Sequence, residues 1–249
     1  MPIPHPYQPP KDFLTGRNVL VTGAGDGIGA AAARAYAAHG ATVILLGKTQ
    51  TKLESVYDRI VSDGSPEPII NCHDLSNPDE APYSKLAELI DSELGCLHGL
   101  LHNASVLGPR TPIEQISLND WNTVLQVNLT SNFLLSKHLL NVLRAANQAS
   151  VIFTSSGVGR AGRAYWGAYS VSKFGVEALS QILADEHGNT SHIRVNCLNP
   201  GATNTQMRRT AYPAEHPDKN PRPDQILDAY LYLMGADSAH LNGQSLNAQ

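Results

Sequence analysis

The sequence predicts an α/β fold: a single doubly wound parallel sheet of about seven strands, with helices on both faces. Short, β-branched, almost continuously apolar runs alternate with longer helix-patterned segments along the chain. A strand buried on both faces has no polar side to alternate with, so it reads in this way. In addition, no linker-like stretch and no repeat beyond the strand–helix unit divides residues 1–249, so one domain is expected.

The elements follow in order. Ahead of the first strand, the proline-rich "MPIPHPYQPP" lacks the charged-then-apolar build of a signal peptide. Residues 1–12 are expected to form an extended surface arm, packed on a neighbouring subunit. The strand candidates are "NVLVTG" (18–23), "TVILLG" (42–47), "PIINCH" (68–73), "LHGLLHN" (97–103), "SVIFTSS" (150–156), "HIRVNCLNP" (192–200) and the short "GQSLNA" (243–248). Each is a short run rich in Val, Ile and Leu or bounded by turn residues. Helical patterns occupy 27–39, 50–62, 78–93, 117–146, 165–187 and 223–234.

Composition narrows the function. Hydrophobic residues make up 42% and charged residues 16%, enough core and too little charge for a disordered chain. A formal net charge of −4 and a pI near 6.2 leave no basic footprint, which argues against nucleic acid as a partner. No apolar run approaches the roughly 20 residues needed to span a bilayer, so no membrane partner is expected. Cys72, Cys96 and Cys197 lack metal-ligand spacing and sit in or beside apolar runs, as reduced, buried thiols of a cytoplasmic protein do. The ten histidines form no HxxxH or HxH cluster, so no metal site is expected.

In a doubly wound sheet, ligands bind beyond the carboxyl ends of the strands, so the residues after each strand carry the chemistry. The first strand runs into "TGAGDGIG" and then an alanine-rich helix. Glycines permit a tight turn and let bare backbone approach a pyrophosphate, while the helix N-terminus offers free N–H groups. The spacing is G-x-x-x-G-x-G, on Gly23, Gly27 and Gly29, rather than GxGxxG. A turn that merely needs glycine is the plain alternative, but a strand before and a helix after favour a nucleotide. The second strand ends at Gly47, followed by Lys48 and Thr49, with no acid to accept from a ribose 2′-hydroxyl. Lys48 can pair with a 2′-phosphate, which favours NADP(H) over NAD(H), although a solvated helix-start lysine reads the same. Asp26, inside the loop, is an awkward neighbour for added negative charge.

Residues 164–174, "AYWGAYSVSKF", hold Tyr165, Tyr169 and Lys173. Helix positions i and i+4 stack about 6 Å apart, so Tyr169 faces Lys173, whereas the i+4 partner of Tyr165 is Tyr169 itself. A nearby ammonium favours the phenolate and brings an otherwise weak acid towards its working range. Ser156 is expected to close the fifth strand and hold a substrate oxygen; Ser155 competes, but neighbouring strand residues face opposite ways. Alone, Tyr-x-x-x-Lys is also an ordinary helix face.

Together, Thr22-Gly-x-x-x-Gly-Ile-Gly29, Asn103-Ala104, Asn128 in "QVNLT", Ser156, Tyr169-x-x-x-Lys173 and "NPG" at 199–201 resemble the short-chain dehydrogenase/reductase family. The match runs over nearly the whole chain, in order, and is most similar to poorly characterised bacterial oxidoreductases of that family. The resemblance implies a Rossmann-like NAD(P)-binding domain and a catalytic tetrad of Asn128, Ser156, Tyr169 and Lys173. It implies that Tyr169 exchanges the proton, Ser156 holds the reacting oxygen, Lys173 lowers the tyrosine pKa and binds ribose, and Asn128 supports a proton relay. Thr22, Gly23, Gly25, Asp26, Gly27, Ile28, Gly29, Gly47 and Lys48 would contact the cofactor. Asp74 and Leu75 would flank adenine, Asn103 and Ala104 would line the channel, and Pro200, Gly201, Thr203 and Thr205 would fix the nicotinamide.

Two positions depart from the family pattern. The usual Asn-Asn-Ala-Gly reads His102-Asn103-Ala104-Ser105, which narrows the site, and the last strand lacks a following Asp-Gly-Gly. The substrate, a small carbonyl or alcohol, is expected against Ser156, Val158, Trp166 and Tyr169, with Tyr165, Met207 and Tyr212 nearby. Arg160, Arg163, Arg208 and Arg209 hint at an anionic substrate but equally fit solvated or structural roles. Residues 205–223, with four prolines in "AYPAEHPDKNPRP", read as a flap over the site. The family also implies a homodimer or homotetramer. A non-catalytic nucleotide-binding protein and a non-redox family member are the alternatives.

Overall fold

The computed structural model describes residues 3–188 and 190–249. Seven strands form one sheet, every neighbouring pair parallel, in the order β3-β2-β1-β4-β5-β6-β7. They are β1 (Asn18–Thr22), β2 (Thr42–Gly47), β3 (Ile69–Cys72), β4 (Gly99–His102), β5 (Ala149–Thr154), β6 (Ile193–Asn199) and β7 (Ser245–Asn247). The helices are α1 (Gly27–Ala38), α2 (Gln50–Ser62), α3 (Ala81–Leu94), α4 (Leu118–Leu125), α5 (Ser131–Ala145), α6 (Gly167–Gly188), α7 (Gln206–Ala211) and α8 (Asp228–Met234).

The two-residue strand period divides the core. Val19, Val21, Val43 and Leu45 turn to the face covered by α1, α2 and α8, where Tyr36, Leu53 and Tyr230 pack. Leu20, Ile44, Leu46 and Phe153 turn to the other face, against Leu86 of α3, Leu135 and Leu139 of α5 and Val176 of α6. Burying one such side chain contributes roughly 1.5–3 kcal/mol. The chain winds outward both ways from β1 and β4, so a crevice opens beyond their carboxyl ends.

Several elements differ from the sequence pattern for identifiable reasons. The expected helix over 117–146 contains one π-turn at Gln126–Thr130, between α4 and α5. There Asn128 is fully buried and its side chain is held by Val106 and Ser172, which draws the backbone out of the regular ladder. Likewise α6 starts at Gly167, not 165, because Tyr165 has φ +70°, a left-handed conformation no helix continues. The fifth strand ends at Thr154, and Ser156 instead caps the short turn Gly157–Gly159. The expected 223–234 helix begins as a 3-10 turn at Pro223–Ile226 before α8, and the flap contains α7.

The N-terminal arm makes contacts with its own chain. Asp228 accepts from the Tyr7 backbone N–H at 3.0 Å and meets His5 Nδ1 at 2.8 Å. The Tyr7 ring meets Tyr232 edge-on at 5.1 Å. Cys197 is buried as expected, but Cys72 is exposed, since β3 lies at the sheet edge. Among the described residues no group of three or more His, Cys, Asp or Glu stands ready for a metal, and no helix is long and apolar enough to cross a membrane.

Candidate active site

A cleft of about 470 Å³ runs along the carboxyl edge of β1, β2, β4, β5 and β6. One end is the glycine loop. Gly23 sits at φ +66°, and a Cβ on Gly29 would lie 2.2 Å from the Gly23 carbonyl, so only glycine allows α1 to start this close to the strand. Asp26 caps α1, its carboxylate accepting from Gly27 N–H at 2.7 Å. That same carboxylate meets Lys52 Nζ at 2.6 Å, and the pairing with Lys52 is the main reason its pKa is held below the usual range. Lys52, Thr49 and His73 line the cleft and were not singled out by the sequence. Lys52 escaped because the side chain that gives it meaning, Asp26, is remote in sequence.

Of the residues expected around a cofactor, Gly23, Gly25, Asp26, Gly27, Ile28, Gly47, Lys48, Asp74, Leu75, Asn103, Ala104, Pro200, Gly201, Thr203 and Thr205 line the cleft together. Thr22 and Gly29 stand behind its wall. Thr22 Oγ1 accepts from the N–H groups of Asn103 and Ala104 at 2.9 and 3.0 Å, which ties the β4 loop to β1. Cradle, helix N-terminus and lysines therefore fit a dinucleotide: backbone approaches closely where a side chain cannot, and positive groups stand where phosphate charge would lie.

At the other end Tyr169, Lys173 and Ser156 converge. Lys173 is 2% exposed and donates from Nζ to the Thr154 carbonyl at 2.8 Å; burial lowers its pKa to about 8. Its Nζ stands 5.7 Å from the Tyr169 ring centre. Burial pushes the Tyr169 phenol up to about 12, against a smaller opposing effect from the hydroxyls of Ser156 and Ser105. Lys173 shares a helical turn with Tyr169, and its ammonium is directed at the Thr154 carbonyl. Neither serine forms a completed hydrogen bond to the phenol in this structure, yet both act on it at short range; Ser105 Oγ is buried and unpartnered.

Asn128 does not line the cleft. Its Oδ1 accepts from Val106 N–H at 2.8 Å, and its Nδ2 donates to the Val106 carbonyl at 2.9 Å and to Ser172 Oγ at 3.0 Å. It thereby clamps the β4 loop to α6, next to Tyr169. Ser155, just past the end of β5, points its hydroxyl at Glu177, to which it donates at 2.5 Å. Burial alone would raise the Glu177 carboxyl, but Ser155, Ser245 and Arg160 together hold it below the usual range.

The expected substrate wall is partly redrawn. Trp166, Met207 and Tyr212 line the cleft, with Leu107 and Ala211, but Val158 is buried behind Tyr169 and Tyr165 is exposed. Arg160 is structural, bonding Glu177 at 2.9 Å and Asn247 at 2.8 Å, and Arg208 is paired with Glu215. The flap is held as well: the Asn204 N–H donates to the Pro221 carbonyl at 2.8 Å.

A glycine loop opening onto Tyr169, Lys173 and Ser156 has a counterpart in a large set of proteins. The sequence model of the short chain dehydrogenases matches residues 17–216. The chain belongs to that family. An uncharacterized oxidoreductase of Escherichia coli, YciK, is 44% identical over 98% of this chain and 96% of its own. A short chain dehydrogenase structure from Pseudomonas syringae superposes with a TM-score of 0.96 at 53% identity, over 98% of each chain. A further short chain dehydrogenase structure, from Escherichia coli CFT073 complexed with NADPH, gives 0.94 at 44% identity over 97% of this chain and all of that one. Within this family of oxidoreductases the present chain carries Ser105 in a buried position beside its tyrosine.

Proposed function

We propose that this short chain dehydrogenase is an NADP(H)-dependent oxidoreductase that interconverts a carbonyl and an alcohol, with Tyr169 exchanging the proton. The observation that carries the reading is the convergence of Tyr169, Lys173 and Ser156 at the end of the cleft whose other end is the glycine loop. A reduced nicotinamide dinucleotide would be held by the glycine loop, the start of α1 and Lys48, and would supply the hydride for the carbonyl carbon. The chain's own part is the proton. Burial pushes the Tyr169 phenol up to about 12, so in the chain without cofactor it carries the proton that carbonyl reduction consumes. Ser156 would hold the carbonyl oxygen and Asn128 would keep the β4 loop in place; Lys173, freed from Thr154, would bind ribose hydroxyls and favour the phenolate when alcohol is oxidised.

Preference for NADP(H) over NAD(H) is supported by Lys48 just after β2 and Lys52 in α2, and by the lack of an Asp or Glu directly after β2 to accept from a ribose 2′-hydroxyl. Lys52 and Arg209 also offset the charge of Asp26. NADPH in the Escherichia coli relative agrees with this. Asp74 and Leu75 are read as adenine contacts, and Pro200, Gly201, Thr203 and Thr205 as the nicotinamide side. Phe133 on α5 and Val171 and Phe174 on α6 are exposed, which supports a homodimer or homotetramer. Three free cysteines are in keeping with a cytoplasmic enzyme.

Tyr169→Phe tests the reading. Carbonyl reduction should fall by at least about 100-fold, while NADPH affinity, measured by fluorescence titration, stays nearly unchanged. Retained turnover would remove Tyr169 from the chemistry.

A further inference from the structure

The substrate end of the cleft is closed by a stack of rings and guanidinium groups. Arg110, in the loop after β4, lies 4.5 Å from the Trp166 ring centre and 5.0 Å from that of Tyr212, and donates to the Ala211 carbonyl. On Tyr212 sits Arg208, at 3.8 Å. Arg208 is in turn held by Glu215 through two parallel bonds, of 2.6 and 2.8 Å, and Asn220 donates to the same carboxylate at 2.8 Å. The stack joins the β4 loop, the start of α6 and the segment around α7 across the mouth of the chamber.

It also decides the chamber's charge. Among the described residues lining this end, Arg208 is the cation not already placed at the nucleotide end or buried beneath Tyr169, and Glu215 neutralises it. Arg110 is stacked between rings outside the lining, and Arg160 faces Glu177. What remains is Val106, Leu107, Trp166, Met207, Ala211 and the Tyr212 ring, with the hydroxyls of Ser105, Ser156 and Tyr169 at the reacting point. Within the lining at this end a carboxylate finds no unpaired cation beyond Lys173 beneath Tyr169, Arg110 lying outside it on the rings, and a polyol finds few hydrogen-bonding groups for its hydroxyls.

We infer that the substrate is an uncharged, largely apolar carbonyl compound, selected because Glu215 removes the charge of the one cation facing it. This rests on the carbonyl–alcohol reading above. The probes are 4-methylcyclohexanone and 4-oxocyclohexanecarboxylate, two ketones of one ring that differ in the charge opposite the carbonyl. With NADPH, kcat/KM should favour the methyl ketone by at least about 100-fold. Binding of each ketone to the NADP-loaded protein, followed by tryptophan fluorescence, should show the same order. Glu215→Gln releases Arg208 and should raise the carboxylate's relative kcat/KM and affinity by about tenfold.

Equal or better use of the carboxylate by the natural protein would overturn the inference, as would a ratio that Glu215→Gln leaves unchanged. Failure of 4-methylcyclohexanone to bind would also overturn it. Preferential binding of the methyl ketone without turnover would instead uphold the substrate class and overturn the redox reading, so the two fail separately.

Discussion

His102 makes the stability of this protein depend on pH between neutrality and mild acid. The residue ends β4, is 1% exposed, lies flat against Phe153 at 4.3 Å and meets Ser136 Oγ through Nε2 at 3.0 Å. Burial, with a further contribution from the Lys173 charge, lowers its pKa from 6.5 to about 3, although Asn132 acts in the opposite direction. The unfolded chain takes up a proton near pH 6.5 that the folded chain refuses until about pH 3. Stability from this group is therefore fully present above pH 6.5 and is lost as pH falls towards 3. Each unit in that window is worth about 1.4 kcal/mol, so lowering the pH from 6.5 to 5 should cost about 2 kcal/mol through His102 alone. Replacing it by the non-titrating amide, His102→Asn, should remove that component whatever it does to stability at pH 7. The assay is urea unfolding of both proteins at pH 7 and pH 5, read as the difference of differences. The variant should lose about 2 kcal/mol less than the natural protein between the two pH values. Equal losses would refute the claim that the imidazole is folded in neutral form.

Lys48→Ala and Lys52→Ala should each weaken NADPH binding about tenfold or more, with little change for NADH; equal losses for both cofactors would remove the case for a 2′-phosphate site. Ser105→Ala should move the alkaline limb of the reduction profile up by about half to one pH unit. The sign follows because Ser105 favours the Tyr169 phenolate, so its removal leaves the phenol protonated to higher pH. A limb that stays in place would mean the hydroxyl does not act on Tyr169. Gly29→Ala places a Cβ 2.2 Å from the Gly23 carbonyl and should cost a few kcal/mol of thermal stability together with nucleotide binding. Unchanged melting and binding would show that the loop yields.

What could be read without coordinates depended on distance along the chain. Tyr169 and Lys173 share one helical turn, and the glycines sit in one loop, so local geometry brought their meaning into the sequence. The neutralisation of Arg208 was legible in principle, since Glu215 is only seven residues on, but it needed the turn after α7 to bring the carboxylate back. Lys52 beside Asp26 and Arg110 between Trp166 and Tyr212 join segments far apart in the chain, and nothing in their own neighbourhood marks them; Ser105 stands out as a departure from the family pattern, but not as a neighbour of Tyr169.

By itself, then, the sequence determined the parallel sheet, the order of its strands and helices along the chain, and the glycine loop and Tyr169–Lys173 pair that open onto the cleft, because periodicity and turn chemistry are local properties. The tertiary structure alone decided which charges remain free in that cleft. Asp26 is answered by Lys52, Arg208 by Glu215, Lys173 is turned to a backbone carbonyl, and burial raises the Tyr169 phenol. The effective charge of a side chain depends on the partner folding brings to it and on how much water is left around it, and neither quantity is written in the order of residues.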